Sequence, residues 1–280
     1  MKISIITVNY NDRSGLEKTI KSVIGQTFRD YEYIIIDGCS SDGSVELIKQ
    51  YEKDISYWVS EPDNGIYNAM NKAIDVVNGE YCIFMNSGDS FSDENTLYDV
   101  FSTKPMEDII CGNTVTVNKI RYAPEEITLN YMFCNTLCHQ SVIIKSHLMK
   151  KYKYDENLKI VADRKFLLQA LIIDNCSYKK VDVNIADYDI NGFSSNNPVL
   201  SRIEYDAVLE ELIPQRIRID YGRVNKGSLY GDTWYDKLFV ELRNRQYRKL
   251  VYSIVVVIMR ICSLFQKSAR FITIFPFRIK

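Results

Sequence analysis

With 280 residues, 46% of them hydrophobic and 25% charged, the chain can bury a substantial core as one large domain or two closely packed lobes. Its net charge of −1 gives no global attraction to nucleic acid, and its seven cysteines, an odd number without any CxxC spacing, argue against a disulfide framework and a structural zinc site. The balance shifts only at the end: no acidic residue follows Glu241, whereas Arg243, Arg245, Arg248, Lys249, Arg260, Lys267, Arg270, Arg278 and Lys280 are all basic.

Residues 3–8, ISIITV, form a β-branched run that ends in Asn9-Tyr10-Asn11-Asp12, residues suited to turns and helix caps. Asp12 or Ser14 can cap the following helix, which carries Leu16, Ile20, Val23 and Ile24 at helical spacing. Tyr31–Ile36 is a second strand, leading through Asp37-Gly38-Cys39-Ser40-Ser41-Asp42-Gly43-Ser44 into a helix over Val45–Tyr51. Ile55–Val59 is a third strand, and Ile66–Val77 a third helix with Met70, Ala73, Ile74 and Val77 on one side. Tyr81–Met85 is a fourth, fully apolar strand that stops in Asn86-Ser87-Gly88-Asp89. This alternation predicts a doubly wound, mostly parallel sheet.

Past residue 90 the pattern turns mixed. Strands are expected over Asp108–Val117, Ser141–Lys145 and Tyr178–Tyr188, helices over Ala162–Ile173 and Leu200–Leu212, and a polar turn-rich segment over Asn191–Pro198. Without a repeat or flexible linker, residues 1–90 and 91–200 read as two halves of one domain, followed by a helical, basic and apolar extension over 201–280.

Parallel strands bring the loops that follow them to one edge of the sheet, where ligands of open α/β sheets bind. Those loops carry Asn9, Asp37, Asp42, Asp63 and Asp89. Four carboxylates on one edge repel one another unless a cation or a ligand's donors lie among them. A plain capping role accounts for Asp12 and Asp42 but less well for Asp37 and Asp63. Neither G-x-G-x-x-G nor G-x-x-x-x-G-K-S/T is present, so phosphates would be held through a metal ion.

The segments T-V-N-Y-N, I-I-I-D-G-C-S-S-D-G-S, S-E-P-D-N-G-I-Y-N-A-M-N-K and N-S-G-D, in that order, resemble the family 2 glycosyltransferases of the GT-A fold over about residues 1–195. The resemblance implies a Rossmann-like α/β sheet with helices on both faces and a nucleotide-sugar donor held by Thr7, Asn9, Asp37, Asp63, Asn71, Asn86, Ser87 and Gly88. It implies a divalent cation, Mg²⁺ or Mn²⁺, on Asp89, although Asn86 and Gly88 stand where many relatives carry acidic residues. Asp163, at the start of a helix, resembles the family's acceptor-activating base, and His139 in Cys138-His139-Gln140 its H-Q segment near the phosphates. Gly192-Phe193-Ser194 is similar to the family's G-G-x-S turn, with Phe193 in place of one glycine.

The implied activity is inverting transfer of a hexosyl or N-acetylhexosaminyl group to a hydroxyl of a glycan, with a lipid-linked acceptor in bacterial surface polysaccharide synthesis. A non-catalytic module that binds nucleotide or glycan is the alternative; a nucleotidyltransferase would want a Gly-rich loop and activating Lys that are missing. The apolar run Leu250–Met259, closed by Arg260, is too short for the roughly 20 residues of a spanning helix. With its acid-free flank it reads as a segment lying on the cytoplasmic face of an anionic membrane, or else as a helix packed on the catalytic lobe or in a homo-oligomer contact.

Overall fold

Strand β1 (Ile3–Asn9) is buried over its whole length. Its side chains divide between two layers, Ile3 and Ile5 joining one apolar cluster and Ile6 and Val8 the other, as a central strand covered on both faces requires. In the computed structural model, which describes residues 1–117, 119–188 and 197–225, β1 is followed by α1 (Arg13–Ile24), β2 (Tyr31–Asp37), α2 (Ser44–Gln50), β3 (Tyr57–Ser60), α3 (Ile66–Val76) and β4 (Tyr81–Phe84). The strand–helix alternation read from the sequence is present throughout this half. The third strand begins two residues late because Glu52–Asp54 closes as a 3₁₀ turn that leaves Ile55 buried beyond it.

The second half contains β5 (Ser90–Phe91), α4 (Thr96–Ser102), β6 (Ile109–Thr116), β7 (Lys119–Arg121), α5 (Leu129–Cys134), β8 (Val142–Lys145), α6 (Ser146–Tyr152), α7 (Ala162–Leu168), β9 (Tyr178–Asp187), α8 (Pro198–Leu212) and α9 (Gln215–Asn225). Helix α7 runs on into a π turn over Gln169–Ile173, so the two together span the helix expected there. The strands form one sheet in the order β3-β2-β1-β4-β8-β6-β9-β5, with β7 paired to β6. Strands β1 to β4 run parallel to one another, whereas β8 is antiparallel to both β4 and β6.

Helices cover both faces. Leu16, Ile20 and Val23 of α1, Leu47 and Ile48 of α2, and Leu97 and Val100 of α4 pack on one side. Residues of α3, α5, α6, α7 and α8, among them Met70, Met132, Met149, Phe166 and Val208, pack on the other. Each such aliphatic or aromatic side chain contributes about 1.5–3 kcal/mol by leaving water, which is what holds the strands in a fixed register beneath the loops.

The chain divides into two units, Met1–Ile213 and Pro214–Lys280. Helix α8, which the sequence reading assigned almost wholly to the C-terminal extension, lies in the first. The Gly192-Phe193-Ser194 turn and the apolar, basic tail from Arg243 onward lie outside the described residues. Among the described residues no helix is long and apolar enough to cross a membrane.

Candidate active site

The register of the parallel strands sets Asn9, Asp37 and Ser60 side by side at their carboxyl ends. Asp37 is fully buried, and a buried carboxylate must be surrounded by donors to remain charged. Four are supplied: Asn9 Nδ2 at 2.7 Å and Ser40 Oγ at 2.6 Å to Oδ1, Ser40 N at 2.9 Å and Ser60 Oγ at 2.6 Å to Oδ2. Asn9 carries the network on, because its Oδ1 accepts from Ser87 Oγ at 2.7 Å. Gly38, next along, lets two groups approach its backbone. A Cβ there would stand 2.6 Å from Asp63 Oδ2 and 3.1 Å from the Tyr10 ring, so Asp63, Tyr10 and Gly38 line one place. The Tyr10 ring is 69% exposed at that mouth.

The turn after β4 is held from below by α1. Thr19 Oγ1 lies 3.1 Å from the Asn86 carbonyl, 2.6 Å from the Asp89 carbonyl and 3.2 Å from Gly88 N. Lys18 Nζ donates to the Gly88 carbonyl at 2.8 Å. Gly88 has φ +93°, a left-handed conformation open to glycine. Gly15 on α1 allows the approach, since a Cβ there would be 2.8 Å from Gly88 N. The outcome is a rigid turn whose Asp89 is 95% buried by its surroundings, being only 5% exposed. Asn86 Oδ1 is buried without a hydrogen-bond partner. A carboxylate and an amide oxygen on one turn are a hard, oxygen-only donor set that fits Mg²⁺ or Mn²⁺ carried largely by phosphates and water. Among the described residues no three acidic, His or Cys side chains form a cage of their own.

His139 joins this turn to Asp163. It precedes β8, and its Nε2 faces Asn86 Nδ2 at 3.3 Å while its Nδ1 stands 3.6 Å from Asp163 Oδ2. With Nδ1 protonated toward the carboxylate, Nε2 is left to accept from the amide. Burial opposes a charge on the imidazole, but the hydrogen bond and charge of Asp163, with the charge of Asp89 added, outweigh it and raise its pKa. Asp163 is the second residue of α7, and its Oδ1 lies 3.3 Å from the Tyr67 hydroxyl. Burial first, and then the Asp163 charge, push the Tyr67 phenol far above its ordinary value, so it stays a donor.

Of the residues expected at the site, Asn9, Asp37, Ser87, Asn86, His139 and Asp163 form one linked set, with Gly88 and Asp89 on the same turn and Asp63 across Gly38. Two sit elsewhere. Thr7 is fully buried on the α1 side of the sheet, where its hydroxyl donates to the Met85 carbonyl at 2.7 Å and meets Tyr33 Oη at 3.0 Å. Asn71 is spent on clamping α3 to the segment before α7, exchanging hydrogen bonds with Tyr154 N and O and donating to Glu156. The sequence reading missed Tyr10, Tyr67 and Glu204. The ring in T-V-N-Y-N was the available signal for the first, since it falls at the strand's end beyond the core.

The family description "Glycosyl transferase family 2" matches residues 4–153. An uncharacterized glycosyltransferase of Mycobacterium tuberculosis is 31% identical over 257 residues, covering 86% of this chain and 97% of that protein. A Bacillus subtilis protein named for teichuronic acid biosynthesis, TuaG, is 30% identical over 48% of this chain and 58% of its own length. Among solved structures, S. aureus TarS 1–349 in complex with UDP-GlcNAc superposes with a TM-score of 0.62 at 20% identity, covering 89% of this chain and 73% of that one. A mannosyltransferase from Pyrobaculum calidifontis in complex with GDP-Man and Mn²⁺ gives 0.60 at 10% identity, covering 94% and 80%. The fold is thus of the GT-A type, and the chain belongs to glycosyl transferase family 2.

The raised pKa of His139 links protonation to stability. A group whose folded pKa lies above its unfolded value stabilises the fold fully below the unfolded pKa and loses that contribution as pH rises through the folded one. The melting temperature of His139→Asn is therefore expected to fall furthest below wild type near about pH 5.5 and to converge on it by about pH 9. A difference that grows with pH would show that the imidazole is not held charged by Asp163.

Proposed function

We propose that the protein is an inverting glycosyltransferase that moves a sugar from a nucleotide-diphosphate sugar to a hydroxyl of a glycan, carried on a lipid, in surface polysaccharide synthesis. The observation that carries this reading is the position of His139: Asp163 lies on one side of its ring and the Asn86–Asp89 turn on the other. An inverting displacement needs a base across the anomeric carbon from the leaving diphosphate, and these two groups, separate in sequence, meet at one imidazole.

In this reading the donor lies along the carboxyl ends of β1, β2 and β4. The exposed Tyr10 ring offers its face to a nucleobase, and Asp63, beside Gly38, offers a carboxylate to base or ribose donors. The Asp37 network keeps these groups in place rather than contacting the donor, because all of its strong acceptor positions are used. Asp89, on the same turn as the unpartnered Asn86 Oδ1, would hold the divalent cation, whose charge assists departure of the diphosphate. Asp163 takes the proton of the attacking hydroxyl as the new C–O bond forms and the bond to the diphosphate breaks. His139, facing that carboxylate through Nδ1, sets its orientation.

The relatives support the donor class, since the solved neighbours are complexes with UDP-GlcNAc and with GDP-Man and Mn²⁺. Either a hexosyl or an N-acetylhexosaminyl donor is compatible with the site. Beyond the described residues, the tail's composition supports a place on the inner face of an anionic membrane, where a lipid-linked acceptor would be met.

Asp163→Asn is expected to lower turnover about a hundredfold or more while UDP affinity, measured by calorimetry, stays near wild type. A folded variant that keeps its activity would reassign the base. Asp89→Ala is expected to weaken nucleoside diphosphate binding chiefly when Mn²⁺ or Mg²⁺ is supplied, and EDTA should mimic it in the wild type. Equal activity in EDTA and in either metal would remove the cation from the reading. Truncation after about residue 240 should leave a nucleotide-binding protein that no longer sediments with anionic liposomes, whereas the full chain sediments and is released by salt. Full-length protein that stays in the supernatant at low salt would sink the membrane assignment.

A further inference from the structure

The turn that leads into α7 is gripped by a side chain from α8. Lys159 N donates at 2.8 Å to Glu204 Oε1, and Ile160 N and Val161 N donate at 2.9 and 3.3 Å to Oε2. On the opposite side of the same turn the Tyr67 hydroxyl donates to the Ile160 carbonyl at 2.6 Å. The Ile160 residue is thus fixed at both its N–H and its C=O by elements far apart in sequence. Lys159 is exposed, but Ile160 and Val161 are 7% and 0% exposed, so at their two N–H groups water is poorly placed to replace the carboxylate. Asp163 follows immediately. The next residue of α8, Tyr205, lies with its ring 3.4 Å beneath the Arg164 guanidinium and donates from its hydroxyl to the Met132 carbonyl at 2.6 Å. Neighbouring side chains of one helix therefore hold the backbone before Asp163 and the side chain after it.

The three N–H groups that Glu204 accepts from belong to Lys159, Ile160 and Val161, the residues that lead up to the first helical residue, Ala162, so the carboxylate holds the turn and not only the helix start. Three successive donors on one carboxylate from another element do more, because they fix the orientation of the peptide planes as well as satisfying them. We propose that Glu204 is a positioning residue for the acceptor-activating carboxylate, setting through the 159–161 turn the place from which Asp163 meets the attacking hydroxyl. The proposal rests on the reading of Asp163 as the base. Without Glu204 the buried N–H groups of Ile160 and Val161 must turn toward other acceptors, and displacements of about 1 Å at a reacting group cost up to a hundredfold in rate.

The test uses the full-length protein, with UDP-N-acetylglucosamine and GDP-mannose as donors and water as acceptor, and compares Glu204→Gln, Glu204→Ala and Glu204→Asp. The Gln and Ala variants are expected to lose about ten- to a hundredfold in kcat, with donor KM and UDP affinity within about twofold of wild type, and the Asp variant to recover part of the loss. Combined with Asp163→Asn, they should lower the residual rate no further. Amide hydrogen exchange should quicken in a 159–163 peptide and stay unchanged in a 31–37 peptide, a readout that holds whether or not water serves as acceptor. Unchanged kcat, unchanged exchange, a kcat loss matched by an equal loss of UDP affinity, or full additivity with Asp163→Asn would each overturn the proposal. Should Glu204→Ala fail to fold, the isosteric Gln variant carries the comparison. Full activity of Asp163→Asn alone would instead fell the assignment of the base.

Discussion

The Asp37 carboxylate is the constraint on which the carboxyl ends of the first three strands depend. A charge with no exposure to water is tolerable only if its surroundings replace hydration, and here Asn9 and Ser60 do so from the ends of the two strands that flank β2, and Ser40 from the loop that follows it. The same bonds make the strand ends interdependent. Moving any one leaves an unpaired donor or an uncompensated charge, so the loops that carry Tyr10, Gly38 and Asp63 are held by electrostatics where the apolar core below has already run out. Ser87 extends the tie to the turn of Asp89 through Asn9.

The surroundings of Asp163 are held differently. Asp163 begins a short helix, and seven residues alone contribute little to its own placement. Its location comes from outside, through Tyr67 on α3 and Glu204 on α8, while Lys165, paired with Asp155 and Glu211, ties the same helix to α8. One half of the site is thus fixed by strand register and the other by side chains that reach between helices. His139 stands where the two meet.

This division explains what could be read from the sequence. Strands β1, β2 and β4 were legible because parallel strands covered on both faces are continuous apolar runs, and the direction they share with β3 places Asn9, Asp37, Asp63 and Asp89 on one edge. Thr7 shows the limit of a motif taken without its periodicity. It shares the strand face of Ile3 and Ile5, so alternation already turned it toward Tyr33 and away from the cleft. Asn71, read as a donor contact, serves a packing joint whose partner lies in the other half of the chain. Glu204 was illegible for the same reason, since its partners are backbone groups and the sequence of a helix does not say which distant turn will need an acceptor. The short helices α5 and α6 are under two full turns and leave too little periodicity to detect.

Strand β8 runs against its neighbours, and that reversal has a consequence for how the site can diversify. A strand laid parallel to β4 would deliver its end to the catalytic edge and leave its beginning about 13 Å away, four residues at about 3.3 Å each. Reversed, it presents its beginning, so the whole excursion from β7 to His139 arrives at the edge from the side away from β1 and β2. The chain can lengthen, shorten or recompose that excursion while the register of the first three strands stays untouched. Change in that excursion therefore leaves the strand ends that carry Asn9, Asp37 and Ser60 where they are.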